Sequence, residues 1–65
     1  MPPVSDLEIY QRLTAVAEEF DRMAAQAVSF AGGAALDTAA RTLRGMASAV
    51  YEHSLDADPT ELKPQ

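Results

Sequence analysis

Cysteine and tryptophan are absent from this 65-residue sequence, histidine occurs once, and no long apolar run is present. The lack of cysteine excludes disulfides, a thiolate nucleophile and cysteine-ligated zinc or iron–sulfur centres. The sequence contains no run of 18 apolar residues, the length needed to cross a membrane as a helix. The first residues also lack the basic and apolar regions of a signal peptide. We therefore expect a cytoplasmic protein that neither spans nor binds a membrane.

Basic residues are also few, since five of them stand against ten acidic ones and the net charge is −5. A net negative charge repels phosphate groups, which argues against binding to nucleic acid or to an anionic membrane surface. The one reservation is an exposed edge carrying Arg41 and Arg44, which a dimer would double. The charged residues otherwise predict a solvated face with acid-before-base pairs four residues apart: Glu8–Arg12, Glu18–Arg22 and Asp37–Arg41.

What the sequence does contain is a heptad pattern, in which apolar residues recur at alternating spacings of four and three. The pattern occurs twice, before and after Gly32-Gly33, and His53 takes the last of its positions. It predicts an all-α fold, an antiparallel two-helix hairpin in which the glycines supply the positive φ angles of a left-handed helix cap. The expected segments are an extended lead-in over 1–5, a helix over 6–31, a turn at 32–33, a helix over 34–55 and a flexible acidic, proline-containing tail over 56–65.

The first helix has a clear start signal in Ser5-Asp6-Leu7-Glu8. The Ser5 hydroxyl can accept a hydrogen bond from the amide three residues on, and Asp6 adds negative charge at the positive end of the helix dipole. We therefore expect α-helix from residue 6.

Alanines lie beside the heptad seam on both predicted helices, with Ala17, Ala24 and Ala31 on the first and Ala40 and Ala47 on the second. A neighbouring helix can approach such small residues closely, but one partner helix cannot cover both the alanine flank and the seam. A chain this short also buries only about 60% of its unfolded surface on folding. We therefore expect a homodimer that forms a four-helix bundle. The residues expected at the dimer or partner interface are Ile9, Leu13, Val16, Phe20, Met23, Phe30, Leu36, Leu43, Met46 and Val50.

No group of residues predicts catalysis or the binding of a metal ion. His53 has no histidine or glutamate three or four residues away, so the Glu-x-x-His arrangement of metal-binding bundles is absent. Glu18, Glu19 and Asp21 spread around an outer face, where they do not form an acid–base pair. Gly32-Gly33 follows a helix and precedes no lysine, unlike a phosphate-binding loop. We expect no enzyme, no catalytic residue, no cofactor and no metal.

The sequence therefore predicts a non-enzymatic protein–protein interaction module: a small homo-oligomeric adaptor, regulator or assembly subunit that acts through its apolar helix seams. One alternative is a sequestering partner, antitoxin-like or an anti-activator, whose hairpin completes the helical bundle of a heterologous protein. A second alternative is a hairpin dimer that binds nucleic acid through Arg41 and Arg44.

Overall fold

A computed structural model describes residues 3–56, which form two α-helices: α1, Asp6–Ala25, and α2, Phe30–Asp56. The helices run antiparallel and pack against each other, because His53 in the last turn of α2 lies beside Asp6 in the first turn of α1. The part of the chain described contains no strand. The predicted all-α hairpin is therefore confirmed. The tail was predicted over 56–65, but Asp56 is the last residue of α2, and residues 57–65 lie outside the described part of the chain.

The start of α1 matches the sequence signal. Ser5 has an extended backbone (φ −74°, ψ 158°), and the amide of Glu8 donates a hydrogen bond to its Oγ at 3.1 Å. Asp6 and Glu8 place negative charge in the first turn, where the helix dipole favours it. The hydroxyl thus satisfies one of the amides that a helix start leaves without an intrahelical partner.

The reversal of the chain does not lie where the glycines predicted it. α1 ends at Ala25, and residues 26–29 make the turn. The amides of Gln26 and Ala27 donate to the carbonyls of Met23 and Ala24 at 3.1 and 3.2 Å, which closes the last turn of α1. The predicted helix over 6–31 is therefore six residues too long.

A serine cap fixes the start of α2. The Gly32 amide donates to Ser29 Oγ at 3.0 Å, and the Gly33 amide donates to the Ser29 carbonyl at 3.1 Å. Both glycines are helical, with negative φ, so the prediction of a left-handed glycine turn at 32–33 is wrong. The physical reason is that Ser29 supplies a side-chain acceptor to the first helical amides, and helix can then extend through both glycines.

The two helices meet through small side chains. Ala17 and Ala40 are fully buried and Ala47 is 3% exposed, whereas no large apolar side chain in residues 3–55 is completely buried. Because interaxial distance depends on the side chains at the contact, alanines on both helices permit a close approach. The alanine flank is therefore the contact within the hairpin.

The hairpin is one layer of helices. Its smallest extent is 13 Å, close to the roughly 10–12 Å diameter of a single helix with its side chains. Stable domains generally enclose a core between at least two layers of secondary structure. The described part of the chain supplies only one.

We predict that Gly33→Ala preserves or raises stability. A Cβ at Gly33 would lie 3.5 Å from the Ala24 carbonyl oxygen, an ordinary contact, and alanine at a helical glycine gains about 0.4–1 kcal/mol. Thermal unfolding followed by circular dichroism tests this, with Gly45→Ala, where a Cβ meets open space, as the control. A marked loss of stability in Gly33→Ala, without a loss in Gly45→Ala, would instead support the predicted glycine turn at 32–33.

We predict that Ala40→Leu loosens the hairpin. Overpacking a close helix contact costs about 1–3 kcal/mol, and Ala40 is fully buried. Ala49→Leu, which makes the same change at an exposed position of α2, serves as the matched control. Urea unfolding at one fixed protein concentration should show the loss for Ala40→Leu and not for Ala49→Leu.

Candidate functional site: an uncovered apolar face

The side chains of α1 divide into two sides around the buried Ala17. Residues four before and three after a helical position lie to one side of it, and those three before and four after lie to the other. Leu13 and Phe20 therefore flank Ala17 on one side, and Thr14 and Asp21 flank it on the opposite side.

The same division holds on α2 around Ala40. Leu36 and Leu43 lie on one side, and Asp37 and Arg44 lie on the other. In an antiparallel pair, corresponding sides of the two helices fall on the same face of the hairpin. The ion pair between Asp21 and Arg44 shows this directly, because it crosses from one helix to the other on the polar side.

We call the opposite surface the apolar face. Its side chains are half-buried or exposed: Met46 is 54% exposed, Met23 47% and Val16 38%. None of its members is charged, and both helices contribute to it. The apolar face consists of Ile9, Leu13, Val16, Phe20, Met23, Leu36, Ala39, Leu43, Met46 and Val50.

Every residue predicted for the interface lies on this face except Phe30. That side chain is 92% exposed at the start of α2, beside the fully exposed Val28 in the turn. The prediction that Phe30 continues the seam of α1 is wrong, because α1 has already ended at Ala25. With Ala27, Phe30 forms part of an open depression of about 450 Å³ at the turn.

The polar side carries the ionic contacts. Arg44 Nη2 donates to Asp21 Oδ2 at 2.5 Å, and both side chains remain close to half exposed. This hydrogen bond lowers the pKa of Asp21 and raises the pKa of Arg44. No local pattern in the sequence predicts this pair, since its members are 23 residues apart.

Two of the three ion pairs predicted along the helices are present. Asp37 lies 3.0 Å from Arg41, and Glu8 lies 4.0 Å from Arg12. The third predicted pair, Glu18–Arg22, is not among the ion pairs of residues 3–55. These contacts lie on exposed surfaces, where ion pairs contribute little to stability.

The open end of the hairpin, opposite the turn, holds the other contacts between the helices. The rings of Tyr10 and Tyr51 lie 5.2 Å apart, as expected for tyrosines at one end of an antiparallel hairpin. His53 Nδ1 lies 3.4 Å from Asp6 Oδ2, and the histidine side chain is mostly exposed. Although His53 takes a heptad position in the sequence, its side chain therefore lies at the solvent-exposed end of the hairpin and not in a core. Leu7 and Leu55 are also exposed at this end.

Within the described residues, no three histidine, aspartate or glutamate side chains cluster closely enough to hold a metal ion. Neither helix of the described part has the length and apolar content needed to cross a membrane. The most extensive feature with a definite chemical character is the apolar face.

Comparison with known proteins gives no family for this chain. No family model matches it, and no curated protein and no solved structure is detectably similar to it.

We predict that the Asp21–Arg44 pair stabilises the hairpin at neutral pH and not in acid. Because the folded-state pKa of Asp21 is lowered, its contribution is present above the unfolded pKa and is lost as pH falls through the folded value. Asp21→Asn should therefore be less stable than the wild type at pH 7, and the difference should vanish in acid. Urea unfolding across pH measures this, with Glu52→Gln as the control, and a difference that does not change with pH would contradict it.

Proposed function

We propose that this chain is a non-enzymatic protein–protein interaction module that works as a homodimer. In the proposed assembly, two hairpins join through their apolar faces into a four-helix bundle. Such a bundle would act as an adaptor, a regulator or an assembly subunit. The residues proposed to carry the contact are those of the apolar face.

The observation that supports this proposal is the mismatch between what the hairpin buries and what it leaves outside. Within residues 3–55 only alanines are fully buried, while most of the large apolar side chains of the two helices line one uncovered face. Completing the burial of a valine, leucine, phenylalanine or methionine side chain gains up to about 1.5–3 kcal/mol. Ten neighbouring positions with no charge among them favour burial against another protein surface.

The dimensions of the face suit a stable dimer. α1 has 20 residues and is about 30 Å long, and the hairpin is 24 Å across. A face of these dimensions covers roughly 700 Å² on each copy, or about 1,400 Å² in a dimer, within the range of specific stable interfaces. A second copy would also supply the second layer of helices that is needed to enclose an apolar core.

The sequestering alternative uses the same face against a heterologous protein. Its specific support is the exposed apolar pair Val28 and Phe30 at the turn, which lies off the apolar face and would stay uncovered in a homodimer. In that case the free hairpin would stay monomeric and would gain helix only with its partner.

Binding to nucleic acid is weakly supported. Arg44 contacts Asp21 and Arg41 contacts Asp37, so each arginine of the proposed binding edge already has an acidic neighbour. Titration with duplex DNA and RNA at low salt, where binding to phosphates is strongest, would detect this activity.

We predict that Phe20→Ala and Leu43→Ala dissociate the assembly. Large-to-small substitutions in a buried core cost about 2–5 kcal/mol, and these two side chains flank the alanine contact on the apolar side. Sedimentation at micromolar concentration should show a dimer for the wild type and monomers for the two variants. Glu18→Ala, on the polar side of α1, serves as the control and should remain dimeric.

A compact, fully helical wild-type monomer at these concentrations would overturn the homodimer. A wild-type monomer of low helicity that becomes helical with a second protein would instead support sequestration.

A further inference from the structure

We infer that the second copy covers the apolar face with its turn at the opposite end, so that α1 packs antiparallel on the partner's α1. Reciprocal ion pairs between Arg12 and Glu19 would flank this contact. The inference rests on the proposed function and adds the arrangement of the two copies to it.

Two arrangements bring the apolar faces together with all neighbouring helices antiparallel. In one, the turns lie at the same end and α1 packs on the partner's α2. In the other, the turns lie at opposite ends, and each helix packs on its own copy in the partner. Both bury the same face, so the apolar residues alone do not decide between them.

The apolar residues are nonetheless arranged symmetrically about a centre on each helix. On α1 the centre is Val16, with Leu13 and Phe20 at near-equal distances on either side, and on α2 it is Leu43. The contacts of Asp6 with His53 and of Ala24 with Gly33 place these centres at nearly the same level. A two-fold axis through this level, perpendicular to the helices, therefore brings both seams into register.

The charges beside the apolar face distinguish the two arrangements. Arg12 lies four residues before Val16 and Glu19 lies three residues after it, both on the outer rim of α1. Rotation about the two-fold axis brings Arg12 within about 2 Å, along the helix axis, of the level of the partner's Glu19. The Arg12 side chain is 80% exposed, and its ion pair with Glu8 is long at 4.0 Å, so the guanidinium has room to contact a second carboxylate.

The arrangement with the turns together offers Arg12 no such partner. It would face the outer rim of α2, which near this level carries Thr42 and Ala49. It would also place the acidic open ends side by side, since among the described residues Asp6, Glu8 and Glu52 stand there with Arg12 and His53 as the basic side chains. Charge complementarity therefore favours the arrangement in which the two turns lie at opposite ends of the dimer.

Charge reversal tests the arrangement. Arg12→Glu alone and Glu19→Arg alone would each convert two attractive contacts per dimer into repulsive ones. We expect each variant to raise the dimer dissociation constant roughly tenfold. Mixed together, the two variants restore both attractions, so native mass spectrometry should find more heterodimer than the half expected of random pairing.

The matched control is Arg22→Glu, which makes the same charge change on α1 at a position away from the apolar face. Mixed with Glu19→Arg, it should give only random pairing. Random pairing of Arg12→Glu with Glu19→Arg, in a protein whose wild type is dimeric, would overturn the arrangement alone. A monomeric wild type would overturn the proposed function as well.

A distance measurement provides a second readout. The sequence has no cysteine, so Gln26→Cys gives a single site for a spin label at the exposed turn. Turns at opposite ends place the two labels roughly 30 Å apart, whereas turns at the same end bring them to about 10–15 Å. The short distance would contradict the inference even if the charge variants pair as expected.

Discussion

The alanine contact between α1 and α2 is the constraint on which the rest of the structure depends. Because Ala17 and Ala40 face each other's helix, the backbones can approach closely and larger side chains are displaced to the edges of the contact. Leucine and phenylalanine then collect on one side, and aspartate, threonine and arginine on the other. Alanine at the contact positions thus allows the two helices to pack closely, and it also leaves the large apolar residues on a face that the hairpin does not bury.

The fold was predictable from the sequence wherever the signal was local and repeated. The heptad spacing predicts two helices, and Ser5 marks the first helix start to the residue. The alanine flank is visible in the sequence too, but the heptad pattern does not show which helix packs against it. The structure places Ala17, Ala40 and Ala47 in the hairpin itself, which leaves the large residues of the seam as the outer surface. Periodicity shows which residues share a face, but it does not show which neighbour that face meets.

The position of the turn was not predictable from glycine alone. Gly32-Gly33 is a strong helix-ending signal, yet the cap at Ser29 lies three residues before it and starts α2 instead. Glycine disfavours helix by about 1 kcal/mol relative to alanine, a cost that a serine cap and good helix formers on both sides can offset. The error matters for the site, because it moves Phe30 from the seam to an exposed position at the turn.

The separation of polar and apolar sides also bears on the partner. An uncharged face gives a partner little to recognise beyond shape and burial, so selectivity must come from the residues at its edges. Near the centre of the face the outer edge of α2 carries Thr42 and Ala49, whereas that of α1 carries Arg12 and Glu19. In the proposed dimer, discrimination between a second copy and a foreign helix would therefore rest mainly on α1. In that assembly α2 would contribute mainly apolar area, and so affinity, while the charged edge of α1 would contribute selectivity.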